Sequence, residues 1–298
     1  MSNMPDLYPV FMIALSDSSY SKLLAEISDP PSALYCRGNA DLLNTTCLAV
    51  VGTRKITPYG KEVATSITRA LVHQGVTIVS GLAMGIDAAA HTSALDSHGK
   101  TIAVLGSGID DNAIYPAINI LLAQRILKEG GLIISEYPPT TDARKHMFPE
   151  RNRIISGLSL GVVVIEADEK SGALITARCA LDQNRDVFAV PGSILSPRSA
   201  GPNRLIQQGA KVVLSAADIM SEYDAQLALF SSEKKNLSTQ NPLEQKILGI
   251  LESDGPSLLD EIIRKVDSET PTVIAALSML EIHGSVQQLS TGKYTTCN

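Results

Sequence analysis

From Leu48 onward, short and almost uninterrupted apolar runs alternate with longer stretches whose apolar residues recur at helical spacing. The runs occupy residues 48–51, 76–79, 101–105, 132–134, 162–165, 187–190 and 211–214. Runs of Val, Ile and Leu this short, with no polar residue on alternate positions, predict strands buried on both faces, hence a parallel sheet. Helical patterns fall at residues 59–74, 87–97, 116–129, 173–183 and 203–208. Gly75, Gly99 and the pair Gly130–Gly131 stand between a helix and the next strand, where a helix C-terminus favours positive φ. The alternation predicts a doubly wound, Rossmann-like α/β domain with helices on both faces of a mainly parallel sheet.

The pattern changes after residue 230. Residues 231–241 (SSEKKNLSTQN) are polar and poor in apolar side chains, the composition of a linker. Residues 243–251, 258–266 and 272–283 then read as three short amphipathic helices. Two strand-like segments follow at 285–288 and 293–296, around a turn at Thr291-Gly292. Three helices and a hairpin predict a small winged-helix-like domain over residues 242–298, after a Rossmann-like domain over residues 48–230. Residues 1–47 show one helical pattern and a break at Asp29-Pro30-Pro31. They are too few for a core of their own and are expected to pack on the main domain.

Composition narrows the function. The chain has 298 residues, 44% hydrophobic and 19% charged, as in an ordinary globular protein. Cys36, Cys47, Cys179 and Cys297 form neither a CxxC pair nor a Cys/His ligand spacing, so neither a metal nor a disulfide framework is expected. A reducing cytoplasm fits that usage. The apolar stretch at residues 10–15 is short and follows Asp6 rather than a basic region, so neither a signal peptide nor a membrane span is expected. The net charge of −6 argues against a generally sticky nucleic-acid surface, but the charge is uneven. Residues 1–47 carry two Lys/Arg against five Asp/Glu, residues 48–223 carry 17 against 16, and residues 224–298 carry six against ten. The one dense basic stretch holds Arg144, Lys145, Arg151 and Arg153, which permits a local basic groove.

Candidate chemistry gathers after the predicted strands. Gly52-Thr53-Arg54 follows the first, Ser80-Gly81 the second and Gly106-Ser107-Gly108 the third. Glycine there lets backbone approach a phosphate beside a helix N-terminus, and Arg54 adds a guanidinium for its oxygens. Close strand–helix packing is the competing explanation of each loop, and it explains three in succession less easily than one. Asp87 and His91, four apart on a predicted helix, suit a hydrogen-bonded structural pair.

Phe148-Pro149-Glu150-Arg151-Asn152-Arg153 predicts a helix start, with Pro149 in its first turn. Arg151, Asn152 and Arg153 are expected to point toward the edge where the glycine loops gather. Phe148 stands among polar residues. An aromatic beside guanidiniums suits base stacking combined with phosphate contact, the sequence-tolerant way to hold single-stranded nucleic acid; a hydrophobic staple is the alternative. Ser171-Gly172 and Thr176 open another helix with hydroxyls near its N-terminus. There is no GxSxG elbow, no HExxH and no Ser/His/Asp or Cys/His grouping, so catalysis is not the expected role.

The ordered blocks DPPSALYCRGN, AVVGTRKITPYG, VSGLAMGIDAAAH, IAVLGSG, FPERNRIISGLS, SGALITA, VFAVPGS and GPNRLIQQGAK run from about Pro30 to Ile219. In them the chain resembles the DNA-processing protein A (DprA/Smf) family of bacterial natural transformation. The resemblance implies an extended Rossmann-like fold that dimerises, binds single-stranded DNA and loads the RecA recombinase onto it, without a cofactor. It implies that Gly52, Thr53 and Arg54 hold phosphates, that Lys145 lies beside the strand and Phe148 stacks on a base, and that Arg151 and Asn152 shape the pocket. Thr53 stands where the family usually has Ser, preserving the hydroxyl. Glu150 stands at an often basic position, which would weaken affinity. The short N-terminus leaves no room for the helical domain many members carry.

Two other functions compete with this reading. A nucleotide-hydrolysing enzyme of the related phosphoribohydrolase type would have a PGGxGTxxE signature, from which Pro191-Gly192-Ser193-Ile194 departs. A duplex reader acting through the winged helix would need a basic recognition helix, and residues 272–283 hold no Lys or Arg.

Overall fold

The computed structural model describes residues 8–223, 242–266, 268, 270–282, 286–288 and 292–296. The expected linker at residues 231–241 lies outside them, as do His283, Ser285 and Thr291. Two compact units divide the chain, residues 1–222 and 223–298.

The first unit is built on a nine-stranded sheet. All seven apolar runs are strands: β3 (Cys47–Val51), β4 (Thr77–Ser80), β5 (Thr101–Leu105), β6 (Leu132–Ser135), β7 (Gly161–Val164), β8 (Asp186–Ala189) and β9 (Lys211–Val212). Residues 11–38 supply two more that the apolar pattern does not pick out, β1 (Phe11–Ala14) and β2 (Ala33–Gly38), with a short helix α1 (Lys22–Ala25) between them. The order is β1-β2-β6-β5-β4-β3-β7-β8-β9. β3 through β9 pair in parallel, whereas β2 joins β6, and β1 joins β2, antiparallel. Residues 11–38 therefore extend the main sheet.

Every residue of β3, β4, β5, β6 and β7 is buried. In β5, Ile102 and Val104 face one apolar cluster, while Ala103 and Leu105 face the other. A strand whose two alternating faces are both covered needs apolar residues throughout, which is why its sequence reads as a run. The helices follow in turn: α2 (Pro58–His73), α3 (Ile86–Asp96), α4 (Ile120–Lys128), α5 (Met147–Gly157), α6 (Gly172–Asp182), α7 (Ala200–Gln207) and α8 (Ala216–Met220). α2 shows how sequence sets a start: Thr57 accepts from the Gly60 amide at 3.0 Å, and Pro58 occupies the first turn, where no amide donor is needed.

The second unit has helices Pro242–Asp254, Leu259–Val266 and Thr270–Ile282. Its three-stranded antiparallel sheet sets Lys293–Thr296 between Ser257–Leu258 and Val286–Gln288. Ile247, Leu251, Ile262, Val273, Leu277 and Leu280 fill its core. This is the winged-helix arrangement, with one short strand at Ser257–Leu258 that the helical pattern conceals. Among the described residues, no helix is long and apolar enough to cross a membrane.

Candidate functional site

The strand order reverses at β3: β4, β5 and β6 lie to one side, and β7, β8 and β9 to the other. Loops leaving the carboxyl ends of β3 and β7 diverge, and in open α/β sheets ligands bind in the crevice between such loops. A cleft of about 610 Å³ opens there. The loop after β3 brings Gly52, Thr53 and Arg54 to it. The start of α5 and the residues before it bring Lys145, Phe148, Arg151 and Asn152. The start of α6 brings Ser171, Gly172 and Thr176. All ten residues singled out from the sequence line this one cleft.

Its charge opposes that of the chain. Five positive side chains (Arg54, Lys55, Lys145, Arg151 and Lys170) line it against the two carboxylates of Asp87 and Asp168. Four of the five are exposed, and Arg151 is buried. A concave basic patch on low-dielectric walls concentrates anions even on an acidic protein.

The aromatic rim is layered. Phe148 is half-buried, the Arg54 guanidinium lies over its ring at 5.3 Å from the centroid, and the Tyr115 ring stands 5.5 Å away, tilted by 48°. Phe148 is thus not sunk in the core, and as the second residue of α5 it does not stand before the helix cap, where a staple residue would.

The glycine loops do something other than the sequence suggested. A Cβ at Gly81 would strike the Arg151 guanidinium, and one at Gly106 would come within 2.9 Å of the Phe148 ring. These glycines make room for side chains of α5. The loop after β3 is also tied up internally. The Thr53 amide donates to the Glu166 carbonyl at 2.6 Å, and the Thr53 carbonyl accepts from the Ile86 amide at 3.1 Å. The Thr53 amide is therefore not free for a phosphate, and its hydroxyl already accepts from the Lys55 amide at 3.2 Å, which leaves the hydroxyl hydrogen and the Arg54 side chain.

Arg151 has a framework role as well. Its guanidinium donates to the carbonyls of Gly81, at 2.8 Å, and Val104. Burial holds its pKa down to about 10, so it stays charged at neutral pH. Asp87 beside it accepts from the Gly81 amide at 3.1 Å; burial pushes its carboxyl up, and the Arg151 charge pulls it back. Asn152 donates to the Gly172 carbonyl at 3.2 Å, tying α5 to the first turn of α6. The Ser171 hydroxyl caps α6 by accepting from the Ala173 amide at 3.3 Å, which leaves its hydrogen available to a ligand.

The expectations for Arg153 and for the Asp87–His91 pair are corrected, and the position of Glu150 is now fixed. Arg153 does not face the cleft: two residues past Arg151, it sits about 200° around the helix. There it binds both oxygens of Glu136, at 2.6 and 2.8 Å, and Asp29 at 3.1 Å. Glu150 is not among the lining residues either, and its carboxylate accepts from the Tyr137 hydroxyl at 2.7 Å. Asp87 and His91 do not pair with each other. His91 bonds Thr101 through Nδ1 at 2.7 Å. Because the Thr101 hydroxyl already donates to the Ile78 carbonyl, His91 must donate, which fixes the Nδ1–H tautomer. Burial, with the Arg151 charge as a smaller cause, lowers its pKa to about 3.

Lys55, Tyr115, Asp168 and Lys170 are lining residues that the sequence did not single out. Tyr115 carried a signal: an aromatic in a polar loop of a chain with only 4% aromatics. The lysines carried none beyond proximity to the loops.

Known proteins match the chain along both units. The family model for DNA recombination-mediator protein A matches residues 11–224, and that for the DprA winged helix domain matches residues 231–292. DNA processing protein DprA of Bacillus subtilis is 47% identical over 211 residues, 70% of each chain. Protein Smf of Escherichia coli is 38% identical over 287 residues, 94% of this chain and 76% of that one. The solved structure of DprA from Streptococcus pneumoniae superposes with a TM-score of 0.67 at 45% identity, over 72% of this chain and 74% of that one. A DprA structure from Helicobacter pylori, described for that protein's single-stranded DNA binding mode, gives 0.66 at 32% identity, over 74% and 98%.

Proposed function

This chain belongs to the DNA recombination-mediator protein A (DprA/Smf) family, and from that premise we propose that it binds single-stranded DNA in the cleft between β3 and β7. One relationship carries the proposal: the Arg54 guanidinium and the Phe148 ring meet at the rim of a cleft where positive side chains outnumber carboxylates five to two. Base stacking on an aromatic combined with backbone contact by cations is how single strands are held without sequence preference. Arg54, Lys145 and the Thr53 and Ser171 hydroxyls engage the sugar-phosphate. Gly172 and Thr176 shape the wall at the start of α6, and Gly52 leaves room for Ile86 and the Glu166 carbonyl behind the β3 loop. Arg151 and Asn152 hold the framework, and Phe148 receives a base. The Helicobacter pylori relative's described binding of single-stranded DNA supports this role.

The finer role in this proposal is the one that the family resemblance implies. The protein acts without chemistry on the DNA, as a cytoplasmic homodimer that protects incoming single strands and loads RecA onto them during natural transformation. The acidic winged-helix unit serves a protein contact or packing rather than groove binding.

A mobility-shift titration of oligo-dT and of duplex DNA across a salt series tests the binding proposal. The expected outcome is preference for the single strand, with log affinity falling by roughly 0.7 per phosphate contacted for each unit of log salt. Equal or tighter binding of duplex overturns it. Release of base or phosphate from nucleoside monophosphates, abolished by cleft substitutions, favours the phosphoribohydrolase alternative instead.

A further inference from the structure

We infer that Tyr115 is a second base platform, so that the site takes two or more adjacent unpaired nucleotides rather than one. The inference rests on the single-strand reading above and specifies its ligand.

Tyr115 lines the main cleft and, with Met84, Gly81, Pro116 and Phe148, a niche beside it of only about 10 Å³, so its ring is open toward the cleft rather than into a second cavity. Its ring is 46% exposed, and among the described residues its hydroxyl has no hydrogen-bond partner. A large aromatic left this open at a cleft, with a flexible apolar Met84 that is also 45% exposed beside it, is a surface waiting to be covered. The segment is held in place: Asn119 donates through its side-chain amide to the Leu82 carbonyl at 2.8 Å, pinning the stretch after Tyr115 to the loop after β4.

The geometry limits what can cover it. The Arg54 guanidinium lies on Phe148, and the Phe148 and Tyr115 rings are tilted by 48° with centroids 5.5 Å apart. The two rings therefore present faces in different directions. One nucleobase cannot lie flat on both, whereas two successive bases splayed at the phosphate between them can. A duplex cannot open its bases this way without paying for unpairing, so the second platform also sharpens discrimination against double strands.

The test measures direct binding of labelled dT12, and of dTMP as a competitor, for wild type, Tyr115→Ala, Tyr115→Phe, Phe148→Ala and Arg54→Ala. Loss of one stacked base is expected to weaken dT12 binding about 5- to 150-fold in Tyr115→Ala. Tyr115→Phe should restore it, and the dTMP inhibition constant should stay unchanged. Ultraviolet crosslinking of dT12 should label the peptide containing Tyr115 in the wild type. If Tyr115→Ala binds dT12 as the wild type does while Phe148→Ala and Arg54→Ala lose affinity, the second platform is refuted and the site itself stands. Equal weakening of dT12 and dTMP by Tyr115→Ala also overturns it, because the ring then only props Phe148. Wild-type dT12 affinity in both Phe148→Ala and Arg54→Ala instead removes the single-strand reading on which the inference rests.

Discussion

The Arg151 guanidinium lies where a side chain on residue 81 would have to be. A Cβ at Gly81 would approach Nη1 and Nη2 to 2.5 Å, while Nη1 donates to the Gly81 carbonyl at 2.8 Å. A loop glycine and a helix arginine thus define one wall of the cleft together. Arg151 is buried and held through Nη1 by both the Gly81 and the Val104 carbonyls, so it cannot move aside cheaply.

Gly81→Ala is therefore expected to overpack this corner and lower stability by about 1–3 kcal/mol. Chemical denaturation measures the loss. A Gly81→Ala protein as stable as wild type means that Arg151 repacks without cost.

Arg151→Met removes the donor to two buried carbonyls and the positive charge nearest the buried Asp87. A cost of about 3 kcal/mol is expected. Asp87→Asn in the same background should recover part of it, because the carboxylate left without its cation is then gone. The double-mutant cycle reports the coupling, and strictly additive losses would show that the two residues act separately.

Arg54→Ala and Phe148→Ala are expected to weaken oligo-dT binding by roughly 1–3 kcal/mol each, through different physics. Arg54→Ala should also flatten the salt dependence by about one phosphate contact, whereas Phe148→Ala should leave that slope alone. Titrations at several salt concentrations separate the two, and identical slopes for both variants would contradict the assigned roles.

Glu150→Ala should leave oligo-dT affinity and its salt dependence unchanged. The carboxylate bonds Tyr137 and does not line the cleft. A marked gain in affinity would mean that bound DNA runs over the outer face of α5.

His91 is buried neutral, with a folded pKa of about 3 against 6.5 in the unfolded chain. Between those values the unfolded state binds the extra proton. The His91 contribution is therefore complete above about pH 6.5 and is lost as the pH falls toward 3. From pH 7 to pH 5 the expected loss is about 2 kcal/mol. Asp87, whose pKa is raised, acts in the opposite sense as the pH approaches its own range. Denaturation at both pH values, for wild type and His91→Gln, isolates the histidine. A variant that retains the full pH slope would exclude His91 as its source.

How much was legible can be read from particular residues. The five fully buried strands β3 to β7 announced themselves because both faces of a central strand exclude water, which leaves mostly apolar residues in the run. β1 and β2 did not. β1 is the edge strand, with Met12 57% exposed and neither a clean run nor a clean alternation, and β2 beside it is paired on both sides but only partly buried, with Arg37 and Gly38 at its end. A helix start with Pro149 in its first turn was legible, although α5 begins at Met147 and takes in Phe148, but the directions of Arg151 and Arg153 were not. Both are arginines in one basic stretch, and only the helix phase, fixed by what α5 packs against, sends one into the cleft and the other to Glu136.

Local sequence determined which segments become strands and helices, where the loops at the carboxyl edge fall, and which residue types those loops offer. Hydrophobic period and turn chemistry act over a few residues, so they are written locally. Tertiary structure decided what those loops are for. It gave Gly81 and Gly106 to side chains rather than to phosphate, locked the Thr53 amide onto Glu166, removed Glu150 from the cleft and set Tyr115 beside Phe148. Each of these depends on approaches between segments tens of residues apart, fixed by the strand order β6-β5-β4-β3-β7, which no local pattern encodes.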